Sequence, residues 1–140
     1  MEITFKPLQK QNLRFLLSVR NEESTRTQLE NDTAYSLDEC EDWFEKIKPQ
    51  WLVIFNENNE EVGYFRVDGN LIGCDIHPDF RRKGYAKAAY TKYLEDKHYA
   101  DLWVFEDNHA KNLYEKLGFE KTGENKIIRG RNYLRMIYRK

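Results

Sequence analysis

The sequence predicts an α+β fold: a mixed, mostly antiparallel sheet flanked by helices. Segments of helical and strand period alternate in the order βααβββαβαββ, and the three central strands are separated only by turns. The composition fits one core, with 140 residues, 40% hydrophobic, 34% charged and 20 aromatic rings (3 Trp, 9 Tyr, 8 Phe). A chain of this size buries about two thirds of its unfolded surface. Disordered chains of high charge lack such aromatics.

Taken in order, residues 2–8 place Ile3, Phe5 and Leu8 in near alternation and read as a first strand. Residues 10–20 carry Leu13, Leu16 and Leu17 at helical spacing. From Asn21 to Tyr35 no period holds, which implies a loop or a short helical turn. Ser36-Leu37-Asp38-Glu39 is a capping box, in which two side chains satisfy free amides at a helix start. Cys40, Trp43, Phe44 and Ile47 follow on one face, and Trp43 and Phe44 read as core. Residues 51–55 and 62–67 are strands around a polar turn at 56–60. Asp68-Gly69 is a two-residue hairpin signal, because that turn needs positive φ. Residues 71–76 form a fourth strand, stopped by Pro78, which cannot donate to a ladder. A helix begins after Gly84 with Ala86, Ala89, Tyr90, Tyr93 and Leu94 as its stripe. Residues 101–105 are a fifth strand, and 109–117 a helix that Gly118 ends. Residues 119–122 and 133–138 are the last two strands, around a polar loop at 123–132. No repeat, low-complexity tract or linker divides the chain, so residues 1–140 are expected to be a single domain.

Several function classes are excluded. The longest apolar run, residues 51–55, is far short of the roughly 20 residues of a membrane span. The N-terminus has no basic stretch leading into an apolar one, so secretion is not expected. Cys40 and Cys74 form no C-x-x-C, and His77, His98 and His109 are not grouped, so neither a disulfide scaffold nor a metal site is expected. A reduced, cytoplasmic protein is the expectation. Phosphate-loop, dinucleotide, zincin and nucleophile-elbow motifs are all missing. The net charge of −1 hides an asymmetry: residues 1–70 hold 8 Lys+Arg against 14 Asp+Glu, and residues 71–140 hold 15 against 10. A basic half suits an anion and an acidic half a cation, though solvated faces produce the same pattern. Nucleic-acid binding is not expected, because no aromatic-basic motif accompanies the basic half.

The informative segment is Asp75-Ile76-His77-Pro78-Asp79-Phe80-Arg81-Arg82-Lys83-Gly84-Tyr85-Ala86. A strand stops, a basic turn follows and a helix opens. Free amides at a helix start carry partial positive charge, and with three cations and a glycine beside them they suit a phosphate or pyrophosphate. A solvated basic turn is the other reading.

Order and spacing separate the two. Arg81-Arg82-Lys83-Gly84-Tyr85-Ala86 resembles the Arg/Gln-x-x-Gly-x-Gly/Ala signature of the GNAT superfamily of acetyl-CoA-dependent N-acetyltransferases. Downstream, Asn108-His109-Ala110-Lys111-Asn112-Leu113-Tyr114-Glu115-Lys116-Leu117-Gly118-Phe119 is similar to its second signature, an Asn followed by a helix ending Tyr-Glu-x-x-Gly-Phe. The resemblance is close over residues 50–123. It implies strands four and five that splay apart, with a pantetheine arm paired to the backbone of Cys74, Asp75 and Ile76. It places the pyrophosphate on the amides from Arg82 through Lys83, Gly84 and Tyr85 to Ala86, the turn beside which the charge reading already sets Arg81, Arg82 and Lys83. An amide near Ile76 would stabilise the oxyanion, and Tyr114 would protonate the leaving thiolate. Asn108 and Asn112 are both candidates for the cofactor-contacting Asn, because the spacing to Tyr114 is one residue shorter than usual.

What this implies chemically is transfer of acetyl from acetyl-CoA to a primary amine by direct attack in a ternary complex, without metal. An ammonium group must first lose a proton. Asp75, Glu22, Glu23, Glu106 and a water chain are the candidate bases. Cys74 reads as a small core or edge residue, and His77 and His109 as loop residues. Relatives that acetylate protein N-termini often carry a carboxylate in strand five, where this chain has Phe105. Arg20-Asn21, with Trp43-Phe44, is similar to the branch that includes ribosomal-protein and nucleotide-amino-sugar acetyltransferases. The expected acceptor is a small-molecule amine, such as an amino sugar or other metabolite, acted on by a monomer or homodimer. A protein N-terminal or lysine acetyltransferase and a non-catalytic acyl-CoA-binding module are the alternatives.

Overall fold

The computed structural model describes all 140 residues. Strand β1 (Ile3–Pro7) leads through a single 3-10 turn into helix α1 (Leu13–Arg20), a one-turn helix α2 (Glu23–Arg26) and helix α3 (Leu37–Ile47). Strands β2 (Leu52–Asn56), β3 (Glu61–Asp68) and β4 (Leu71–Ile76) follow, then α4 (Tyr85–Leu94), β5 (Tyr99–Phe105), α5 (Ala110–Leu117), β6 (Glu120–Ile128) and β7 (Arg131–Arg139). The expected capping box is present, with Ser36 and Glu39 exchanging side-chain and backbone bonds.

The seven strands form one sheet in the order β1-β2-β3-β4-β5-β7-β6. Every neighbouring pair is antiparallel except β4 and β5. Central strand β3 is covered on both faces, as its nearly continuous apolar run requires. Successive side chains point to opposite faces. Phe65 therefore joins Ile72, Tyr90, Leu102 and Phe119 under α4 and α5, whereas Tyr64 joins Leu13, Leu16 and Val53 under α1 and α3.

Two segments depart from expectation. The stretch 123–132, expected as a polar loop, is mostly strand: β6 and β7 form one long hairpin closed by Arg129-Gly130. Both turn residues have positive φ (49° and 76°), the geometry that a two-residue hairpin demands. No alternation announced it, because β6 is a sheet edge with almost every side chain exposed, and its register slips between Lys121 and Asn125. The aperiodic segment 21–35 contains α2, whose start is held by the Glu22 carboxylate accepting from the Ser24 amide. With this turn counted, three helices rather than two separate β1 from β2.

Candidate active site

The parallel pair β4 and β5 touch only at Leu71 opposite Asp101. Beyond that point β5 takes β7 as its partner over its whole length, and the facing edge of β4 from Gly73 to Ile76 has no strand beside it. The result is a cleft of about 350 Å³ lined by Asp75, Ile76, Arg66, Tyr114, Asn108 and Trp103, among others. Beside it lies a second cleft of about 300 Å³, bordered by Arg20, Trp51, Trp103 and Tyr133. Arg66, Leu29 and Trp103 belong to both.

At one end of the splay stands the basic turn. His77 Nδ1 accepts from the Asp79 amide and closes a short 3-10 turn, after which Arg82 (φ 61°) and Gly84 (φ 89°) adopt left-handed backbone. Left-handed backbone at Gly84 is easy only for glycine. The consequence is a row of unpaired donors. No backbone acceptor meets the amides of Arg82, Lys83, Gly84, Tyr85, Ala86 or Lys87, and no side chain caps α4. Lys83, Gly84 and Lys87 also border a groove of about 540 Å³ beside the turn.

The side chains of this turn diverge. Arg81 does not flank the amides; its guanidinium turns inward. Nε donates to the Ile76 carbonyl (3.1 Å), one Nη to Thr25 Oγ1 (2.7 Å) and the other to the Ser24 hydroxyl. It thereby ties α2 to the end of β4. The Tyr85 ring packs edge-on to Phe80, and its hydroxyl faces the Asn56 amide. Arg82 and Lys83 are exposed, and Ala86 is half-buried on the core face of α4.

Tyr114 projects from α5 into the splay. Its hydroxyl accepts from Tyr90 Oη at 3.2 Å, with the rings edge to face. Burial pushes the Tyr114 phenol up to about 12, against the opposing pull of that hydrogen bond. At neutral pH it is a proton-holding donor. Cys74 points to the opposite face of the sheet from Asp75, and burial pushes its thiol far above the usual thiol range. It is therefore a poor nucleophile at neutral pH. Asn108 lines the cleft, with its Oδ1 accepting from the Ala110 amide at the start of α5. Asn112 is exposed and outside the lining.

Of the four carboxylates considered as bases, only Asp75 lines the cleft. Its Oδ2 lies 3.1 Å from Arg66 Nε. Glu22 is engaged at the start of α2, where hydrogen bonds from the Ser24 side chain and then its amide hold the carboxyl below its ordinary range. Glu23 and Glu106 are exposed. Phe105 is fully buried against Tyr133. Asn21 brackets the loop before α3, exchanging side-chain bonds with the Tyr35 carbonyl (2.7 Å) and amide (2.9 Å). Trp43 packs against Trp51, as its core reading required.

Sequence reasoning missed the arginines that close the site. Arg129 donates to the carbonyls of Thr27, Leu29 and Glu30, and Arg131 to the Thr27 carbonyl, Gln28 Oε1 and both Asp107 oxygens. The β6–β7 hairpin thus pins segment 27–31 against the clefts. Arg66 was also missed. Its guanidinium lies across Gly73, where a Cβ would overlap it. A glycine beside a charged residue on the neighbouring strand was the only available signal.

No metal-binding group of His, Cys, Asp and Glu is present, and no helix is long and apolar enough to cross a membrane. Comparison with known proteins agrees with this architecture. The sequence profile of the acetyltransferase (GNAT) domain matches residues 15–140. No curated protein sequence matches the chain significantly. Among solved structures, the Vibrio cholerae spermidine N-acetyltransferase in complex with CoA and spermine superposes with TM-score 0.89 at 21% identity, covering 98% of this chain and 95% of that one. A chimera of spermidine N-acetyltransferase from Vibrio cholerae and hSSAT superposes with TM-score 0.84 at 22% identity, covering 99% and 96%. At such identities the likeness is one of fold.

Proposed function

The chain belongs to the GNAT acetyltransferase family, an acetyl-CoA-dependent N-acetyltransferase, and from that premise we propose that its acceptor is a small-molecule primary amine, acetylated by direct attack in a ternary complex. The observation that carries this reading is the row of six unpaired amides from Arg82 to Lys87 at the open end of the β4–β5 splay. Such donors favour a diphosphate over water because they are fixed before it arrives and share the helix-terminal partial charge. Arg82 and Lys83 add charge at the rim, and the free edge of β4 from Cys74 to Ile76 offers backbone groups to an extended amide-bearing arm.

The chemistry follows from the groups lining the cleft. Asp75 is placed to receive the proton that an ammonium must lose before its nitrogen attacks the thioester carbonyl. An amide near Ile76 stabilises the oxygen on which charge then builds. As the carbon–sulfur bond breaks, Tyr114 donates its hydroxyl proton towards the sulfur. The proton shed by the new amide nitrogen restores the phenol. Asn108, rather than Asn112, is the Asn in contact with the cofactor, since it alone lines the cleft. The raised Cys74 thiol argues for direct transfer without an acyl-enzyme.

A small acceptor is supported by the limited size of the second cleft, about 300 Å³, one wall of which, around Leu29, is held by Arg129 and Arg131. The β5 position at which relatives that acetylate protein N-termini often carry a carboxylate is held here by the buried Phe105.

Two measurements test the proposal. Acetyl-CoA at a hundred times its dissociation constant is expected to stabilise the fold by about 2.7 kcal/mol. Thiol release with a panel of amines, including amino sugars, polyamines, amino acids and lysine-containing peptides, should favour free small molecules. Absence of the thermal shift would refute the cofactor assignment, and turnover confined to peptides would refute the acceptor assignment.

A further inference from the structure

Arg20 Nη1, Tyr64 Oη and Asp101 Oδ1 are buried side-chain atoms with neither a hydrogen bond nor an ion-pair partner, whereas Arg66 Nε and Asp75 Oδ2, also buried, face each other as an ion pair at 3.1 Å. Tyr64, Arg66 and Asp75 lie on one face of the sheet, and Arg20 borders the same cleft as Arg66. Tyr64 and Asp75 are directly opposed on β3 and β4, and Arg66 follows two residues after Tyr64 on the same face. Arg20, the last residue of α1, lines the second cleft together with Arg66. Buried polar atoms in native proteins are nearly always paired, so the unpaired Arg20 Nη1 near this ion pair calls for a partner from outside the chain.

The charge balance of this cluster is uneven. Two guanidiniums, Arg20 and Arg66, share one carboxylate. Asp75 approaches Arg66 at 3.1 Å, whereas no carboxylate lies within 4 Å of Arg20. Arg20 spends one Nη on the Asn31 carbonyl (2.7 Å) and rests its plane 5.2 Å from the Tyr35 ring, leaving the other Nη buried and unpaired. The nearby Glu30 is taken by Lys126 at 3.3 Å, and Asp68 is exposed at the end of β3. Arg20 is half-buried, and a guanidinium nitrogen taken out of water without a partner is costly. Arg20 and Arg66 both line the second cleft, and Arg66 and Asp75 both line the first. Gly73 keeps the Arg66 guanidinium flat against the sheet, where any larger residue would displace it.

We propose that the acceptor amine carries a carboxylate, which Arg20 and Arg66 bind while its ammonium faces Asp75. The planar fork of a guanidinium matches a carboxylate oxygen pair, and its charge supplies the missing balance. The acceptor class is then a compact amino acid rather than a polycation. A cleft of about 300 Å³ has room for one. This inference rests on the acetyl-transfer reading, whose own test is the acetyl-CoA thermal shift.

The experiment compares matched pairs in the thiol-release assay: each of the common amino acids against its carboxamide, with spermidine as a carboxylate-free polyamine. At least one acid is expected to exceed its carboxamide tenfold or more in kcat/KM. In Arg20→Gln that ratio should collapse towards unity, mainly through KM, while the acetyl-CoA thermal shift persists. Arg20→Lys keeps the charge and should retain part of the preference, which guards against a folding defect in the Gln variant. Equal rates for acid and carboxamide, a preference for spermidine that survives Arg20→Gln, or a cofactor shift with no acid turned over would each overturn the proposal. Loss of the cofactor shift in the wild-type protein would instead remove the acetyl-transfer reading beneath it.

Discussion

Replacing Tyr114 by Phe removes one oxygen from the centre of the proposed reaction and leaves the ring. Two separable effects are expected. If the hydroxyl supports a developing thiolate, its loss removes a hydrogen bond to a charged group, about 1.5–3 kcal/mol. That corresponds to a fall in kcat of about 10- to 150-fold, with acetyl-CoA affinity little changed. The second effect is on the fold. Tyr90 is 1% exposed and its hydroxyl donates to Tyr114 Oη at 3.2 Å. Without that acceptor a buried donor is orphaned, at a cost of about 1–3 kcal/mol. At about 3 °C per kcal/mol for a chain of this size, the Tm should fall by roughly 3–9 °C. A double-mutant cycle separates the two. Tyr90→Phe together with Tyr114→Phe removes both polar partners, so most of the stability should return while kcat stays low. Tyr90→Phe alone should lower kcat only a few-fold. Single-turnover thiol release, cofactor titration and thermal melting of the four proteins supply the readouts. If Tyr114→Phe kept wild-type single-turnover rates, or if the double variant recovered activity along with stability, Tyr114 would have no part in the chemistry.

Three further outcomes are expected. Gly84→Ala meets no steric obstacle, since a Cβ there would lie 3.9 Å from its nearest neighbour, Met1. It must still hold φ near 89° at a cost of about 1–2 kcal/mol. The thermal shift given by acetyl-CoA should shrink as the amides re-aim, and an undiminished shift would refute the cradle. Arg131→Ala frees segment 27–31, so the acceptor KM should rise several-fold with acetyl-CoA affinity preserved, as steady-state kinetics in each substrate would show. The Tyr114 phenol releases its proton at about 10 when unfolded and near 12 when folded, because burial disfavours the anion. Its contribution to stability is therefore complete below pH 10 and drains away as pH rises towards 12. Denaturant titrations across that window should show a shallower decline for Tyr114→Phe than for wild type.

The cofactor half of the site was legible because it is written in consecutive residues. The strand that stops at Pro78, the turn through Arg82 and Gly84 and the start of α4 are contiguous, so helix-start chemistry and glycine conformation could be read locally. The same holds for Asn108 and Tyr114 on α5. Local reading also erred locally. Arg81 has the same charge as its neighbours, and only the position of Thr25, across the site, turns its guanidinium inward. The β6–β7 hairpin escaped because an exposed edge strand needs no apolar alternation, so its sequence resembles a loop.

The acceptor half is assembled from residues far apart in sequence, and this has a physical consequence. Arg20 at the end of α1, Arg66 on β3, Asp75 on β4 and the hairpin arginines meet only when the sheet and the α1–α3 layer are both formed. No short window contains their pairing, and each one alone reads as a solvated surface charge. Such a site can change its acceptor without disturbing the cofactor cradle, because the two halves share only β4, the splay and the residues Leu29, Arg66 and Trp103. Substitutions at Arg20 should therefore move acceptor kinetics while leaving acetyl-CoA binding in place, and substitutions at Gly84 should do the reverse. If both halves responded together to either change, the splay would be acting as one cooperative unit, and the separation between cofactor and acceptor sites would not hold.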